Sequence, residues 1–314
     1  MNTVETKEKK TEVRVKRRGN TLGFLFFEML LRTTGLKSAY FLVEFVCLHY
    51  LLFDREAVES AVFYIEKKFP RTGKFKKYWH VHRLFVNQGK QLVDRYAIAH
   101  RPDMFRFHEI SAEGAMEILQ ESKKGAVLLT SHVGNWQVAL RQMGHLKKEI
   151  CLVMRPEDNA AVRESLQMGV AAKPVTCINP DGHLGGVFEM MQALNEGKLV
   201  CIMGDRSYGF DTVEVSFLGK PAYFPYGAFL IAAAAQCPVI PFLTHKTSER
   251  EYTVSLAKVW RPSYQKGRER KQQLQQWVGD YAKLLEHYVE KHPYDCFLFH
   301  NVWTQDKGVL NDGK

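Results

Sequence analysis

Paired cysteines are the first thing this sequence lacks. Its six, Cys47, Cys151, Cys177, Cys201, Cys237 and Cys296, are scattered, several inside apolar runs. That pattern excludes a disulfide framework and a cysteine zinc site, and leaves reduced core thiols of a cytosolic-side protein. A secretory signal is also missing, because the first eighteen residues are charged and no small-residue cleavage site follows a clean apolar core. Within the apolar region Thr21 to Phe53 no eighteen-residue run is free of charge. The apolar region Thr21 to Phe53 is interrupted by Glu28, Arg32, Lys37, Glu44 and His49, which argues against a transmembrane helix. Two amphipathic helices, lying in a membrane interface or packed on the main domain, fit instead, with the basic leader Arg14, Lys16, Arg17 and Arg18 placed to meet anionic headgroups. Internal repeats and low-complexity blocks are absent. His80 and His82 have no third ligand nearby, so neither a metal nor a cofactor is expected.

What is present describes an ordinary globular chain with an excess of base. The 314 residues are 46% apolar and 25% charged, with a net charge of +10. Such an excess favours nucleic acid, an anionic membrane or an acidic partner. The segment Glu66 to Arg83 interleaves basic and aromatic residues but carries no nucleic-acid recognition motif. A solvated or headgroup-contacting face is the reading, and nucleic acid is not an expected partner.

The stretch Ala126 to Leu140, AVLLTSHVGNWQVAL, organises the rest. Ala126 to Leu129 is apolar without alternation, as in a strand covered on both faces of a parallel sheet. Ser131 and His132 fall just past its carboxyl end, and Gly134 permits a tight turn into a helix that begins near Asn135, Trp136 and Gln137. Open α/β sheets bind their ligands there. Glu149 to Met154, Lys173 to Ile178 and Lys198 to Met203 read as further strands, and Pro156 to Asp158 as a helix start. Three strand ends thus present His132, Arg155 and the pair Asp205 and Arg206 at one edge. Farther on, Val213 to Phe217 reads as an edge strand, Tyr226 to Gln236 as an alanine-rich helix, and Pro238 to Leu243 with Glu251 to Leu256 as an antiparallel pair. Upstream, residues 54 to 99 read as helical with a break near Pro70 to Gly73, and Ser111 as the N-cap of a helix. Lys271 to Lys291 keeps helical spacing.

The block SHVGNWQ resembles the His-x4-Asp/Glu motif of the lipid A biosynthesis (lauroyl/myristoyl) acyltransferases, a branch of the glycerolipid and lysophospholipid acyltransferase superfamily. VMRPEDN, MGDRSYG, VSFLGKPA, CPVIPF and FLFHNVW match further blocks in the family's order. The resemblance implies an α/β fold with a mostly parallel central sheet flanked by helices and an N-terminal amphipathic helical segment. In residues, it implies a basic leader over 1–20, a helical membrane-interface segment over 21–110, the α/β acyltransferase domain over 111–304 and a tail over 305–314. It implies transfer of a fatty acyl group from acyl carrier protein to a lipid A precursor or related lyso-lipid at the cytoplasmic face of the inner membrane. His132 would be the general base with Gln137 fixing its tautomer, and Ser131, Asn135, Arg155, Asp205 and Arg206 would bind substrate, Asp205 by orienting one of the arginines or else by taking over part of the charge that Gln137 lacks. Two positions depart from the pattern. Gln137 stands where the family has an acid, and Asn301 where an arginine is common after His300. An amide orients an imidazole but cannot balance its positive charge, so the alternative is a non-catalytic scaffold that binds lipid or acyl carrier.

Overall fold

A computed structural model describes residues 29–143, 146, 148–155, 175–206 and 212–304. The expected leader at 1–20, the helix start at Pro156 to Asp158 and the tail at 305–314 lie outside them. The chain divides into two units, residues 1–39 and 40–314. The described part of the first is residues 29–39, mostly helical. Everything below concerns the second.

Among the described residues the elements run α1 (Leu36–Phe53), α2 (Arg55–Lys68), α3 (Lys74–His100), β1 (Arg106–Ser111), α4 (Ala115–Glu121), β2 (Ala126–Thr130), α5 (Trp136–Gln142), β3 (Ile150–Val153), β4 (Thr176–Ile178), α6 (Val187–Asn195), β5 (Leu199–Met203), β6 (Thr212–Phe217), β7 (Lys220–Pro225), α7 (Gly227–Ala235), β8 (Val239–Ser248), β9 (Glu251–Leu256) and α8 (Arg270–Lys291). Seven strands form one sheet in the order β1-β9-β8-β2-β5-β3-β4. Every neighbouring pair is parallel except β8 with β9. The central strands β2, β3 and β5 are apolar runs because helices cover both faces of such a sheet. Leu128, Leu152, Cys201 and Ile240 are buried from the strands, and Ala139 and Leu140 of α5, with Met143 just after it, close over them. Each large side chain buried this way contributes about 2 kcal/mol.

One expectation changes. Ser111 ends strand β1 rather than capping a helix, and β1 pairs with β9 far downstream. Its exposed pattern carries no apolar alternation, so nothing local announced a strand. Val213 to Phe217 is an edge strand as expected, lying in β6, which pairs with β7 in a separate two-stranded antiparallel hairpin, against which α8 lies. By length and composition α1 is apolar enough to cross a membrane, even with Lys37 and Glu44 in it. At 1.5 Å per residue it reaches about 27 Å, close to the hydrocarbon thickness of a bilayer.

The rest of α1 shows why its charges are tolerated. Glu44 pairs with Lys90 of α3 at 2.9 Å. Gly89 lets the two helices approach, since a Cβ there would come within 2.7 Å of Val43 Cγ1. The opposite stripe, Phe41, Phe45, Leu48 and Leu52, follows helical spacing and is exposed, as is Phe53. All six cysteines are free thiols.

Candidate active site

Register brings the first two residues together. Thr130 of β2 lies opposite Met203 of β5, and His132 and Asp205 are each two positions farther on. The backbone N–H of His132 donates to Asp205 Oδ2 at 2.7 Å, and ring Nδ1 lies 3.1 Å from Oδ1. Because an ionised carboxylate only accepts, Nδ1 carries the ring proton and Nε2 keeps its lone pair. Nε2 makes no hydrogen bond among the described residues. The imidazole is 27% exposed while the carboxylate is fully buried. Burial pushes the Asp205 carboxyl up, but the adjoining His132 ring, its hydrogen bonds and His300 more than offset this and hold it below the usual carboxylate range.

The turn around His132 is fixed from several sides. Its carbonyl accepts from Phe297 N–H, and Gly134 N–H donates to the Asp295 carbonyl, both at 2.7 Å. Gly134 has a φ of +55°, and a Cβ there would fall 1.6 Å from the Thr244 carbonyl oxygen; only glycine fits. Tyr281 of α8 donates to the Thr130 carbonyl at 2.9 Å, so the Ser131 hydroxyl, also in contact with it, donates to the tyrosine oxygen. His300 reaches back with Nε2 to the Asp205 carbonyl at 2.9 Å, and its ring lies 6.4 Å from that of His132. Burial lowers the His300 pKa, leaving a neutral donor there.

Of the residues expected at the site, the structure joins His132 to Asp205 and turns others away. Gln137 does not touch the ring. Its side-chain oxygen accepts from Nη1 of Arg95, a guanidinium of α3 whose pKa burial pulls down to about 10. His132 lies in the turn before α5, and Gln137, the second residue of that helix, is engaged by Arg95 of α3 instead. Ser131 and Asn135 are buried too, Ser131 against Tyr281 and Asn135 donating to the Gln91 carbonyl at 2.9 Å. They hold the turn. Arg155 stands two residues beyond β3, the other neighbour of β5, with Nε 3.2 Å from Asp181. Arg206 is exposed beside Asp205, and its charge is felt at His300. Both guanidinium groups therefore belong to the edge that carries His132.

Arg95 and His300 had no assigned role in the sequence reading. His300 sat in a matched block, whereas Arg95 is 42 residues from Gln137 on a separate helix, with no local signal linking them.

This geometry is that of an imidazole base on a carboxylate, beside cations at the carboxyl edge of a parallel sheet. The model of the bacterial lipid A biosynthesis acyltransferases matches residues 6–305. The chain belongs to this family. It is an acyltransferase of the lipid A and glycerolipid acyltransferase group. No curated protein sequence matches it. Among solved structures it is similar to the 1-acyl-sn-glycerophosphate (LPA) acyltransferase PlsC from Thermotoga maritima, with 13% identity, 81% of this chain and 98% of that chain covered, and a TM-score of 0.39.

Proposed function

We propose that this acyltransferase moves a fatty acyl group from acyl carrier protein to a hydroxyl of a lipid A precursor or related lyso-lipid at the cytoplasmic face of the inner membrane. The observation that carries the reading is the His132 to Asp205 contact, with Nε2 left open. Nε2 takes the acceptor's hydroxyl proton as its oxygen attacks the thioester carbonyl. The carbon–oxygen bond forms, the carbon–sulfur bond breaks, and the departing thiolate takes the proton from the imidazolium. Asp205 stays ionised throughout and offsets the ring's positive charge.

Arg155 and Arg206 bind phosphate on the acceptor or on the donor's phosphopantetheine arm. The net charge of +10 suits an acidic carrier protein. The exposed stripe of α1 lies in the membrane interface, anchoring the sheet edge near its lipid acceptor. The scaffold alternative rested on Gln137, and Asp205 supplies the charge that the amide does not.

The test uses purified full-length protein, acyl carrier protein loaded with a labelled fatty acyl group, and candidate lyso-lipids. Label should move to lipid with wild type and not with His132→Ala. Equal transfer by both proteins would reject the mechanism, and transfer by neither would return the scaffold reading.

A further inference from the structure

A second cationic site lies away from the strand edge. A cavity of about 240 Å³ opens between α3, the end of β8 and the end of α8, lined among others by Arg83, Lys90, Lys246, Lys291 and Asp295. It has room for about eight water molecules at liquid density, enough for a hydrated phosphate group. Neither Arg155 nor Arg206 lines it.

The charges in its wall are unequal. Lys90 is paired with Glu44 at 2.9 Å, and Lys246 with the buried Asp94. Arg83 and Lys291 have no carboxylate partner among the described residues. The Arg83 guanidinium instead lies 5.8 Å from the ring centres of both Trp79 and Tyr294, which holds its planar fork in place while leaving its donors free. The wall's acid, Asp295, is buried and already engaged by the Asn87 amide and by the Gln91 amide at 2.8 Å. Four cations thus face a cavity whose own carboxylate is occupied by neutral donors. A concave, partly desolvated surface of that kind concentrates positive potential.

We propose that this cavity binds a phosphate group, through the forked donors of Arg83 and the ammonium groups of Lys291 and Lys90. A tetrahedral oxyanion gives each of them an acceptor and meets the charge left over in the wall. The phosphate is either free in water or borne on a lipid headgroup. The aromatic side chains Phe75, Tyr78 and Trp79, exposed one to two turns before Arg83 on α3, would sit at headgroup depth in the second case. The site also touches the reaction centre, because the Asp295 carbonyl holds the Gly134 N–H of the turn after His132.

The test reads binding without turnover, so it stands apart from any acyl-transfer assay. Inorganic phosphate is titrated into full-length protein by calorimetry. In parallel, the protein is floated with phosphatidylcholine vesicles with and without phosphatidic acid. Arg83→Ala with Lys291→Ala is compared with Arg268→Ala plus Lys271→Ala, an equal loss of charge at two exposed positions. Circular dichroism confirms that both variants fold. The cavity variant should weaken the bound probe by about tenfold, or 1.4 kcal/mol, while the control stays close to wild type. A response to inorganic phosphate assigns free phosphate, and a response only to phosphatidic acid vesicles assigns a lipid headgroup. Equal losses in both variants, or no phosphate-dependent binding by either probe, would overturn the proposal.

Discussion

Asp205 and Asp94 are both aspartates with fully buried side chains, yet they hold opposite situations. Asp205 faces a titratable ring that is partly open to solvent, and its pKa is lowered on balance. Asp94 is enclosed by the Lys246 ammonium and the Tyr40 and Tyr252 hydroxyls. Burial pushes its carboxyl up, and those partners only offset part of that. The first carboxylate is left with a partner that can gain a proton during a reaction. The second is saturated by donors from α1, β8 and β9, and so fastens the helical layer to the sheet. Burial alone does not mark a reactive acid; what matters is whether its partner has a free side.

The widest gap between the two should appear on substituting Asp205→Asn. The amide keeps the shape but no longer balances the imidazolium, and the equivalent exchange in a serine-protease triad costs about 10⁴ in turnover, or roughly 5 kcal/mol. Initial rates of acyl transfer should fall accordingly while the urea midpoint moves little; a variant with near-normal rate would erase the distinction. Asp94→Ala should do the reverse. It strands Lys246 without its counter-charge and should cost about 3–5 kcal/mol of stability, seen by urea denaturation, with activity per folded molecule retained.

Asp295 tests an intermediate case. Burial raises its pKa to about 6, above its unfolded value, so the folded state holds the proton more tightly. The stabilisation from this group is present below about pH 4 and is lost as pH rises through 6, by on the order of 2–3 kcal/mol. His292, held down to about 4 by burial, acts in the other direction, losing its contribution as pH falls below its unfolded value. The difference between wild type and Asp295→Asn isolates the carboxyl; a difference that does not change between pH 4 and 7 would contradict it. The smallest effect is expected of Gln137→Glu. Since residue 137 meets Arg95 and not the ring, the transfer rate should stay within about threefold, under 1 kcal/mol. A large gain would put the acid back at the imidazole.

Much of the sheet could be read from the chain because its central strands are continuous apolar runs, and apolar runs ending in polar turns locate an edge. His132, Arg155, Asp205 and Arg206 were legible on that ground. That Asp205 is the partner of the ring was only one of two roles open to it, because spacing along one segment reports on a helix face, while the Asp205 contact depends on the register between β2 and β5. The same holds for Gln137, whose partner Arg95 comes from a distant helix. β1 escaped for a different reason: its side chains Arg106, His108 and Glu109 are polar and largely exposed, and only backbone pairing with β9 makes it a strand.

That pairing also sets an order of assembly. Arg106 lies opposite Glu251, so on the ribosome β1 emerges about 145 residues before its neighbour, a delay of roughly seven to thirty seconds at ordinary elongation rates. For that interval its hydrogen-bonding edge is unsatisfied, and its charged, water-compatible side chains discourage adhesion to other nascent chains. Translation that stops short of Leu256 leaves this border of the sheet incomplete.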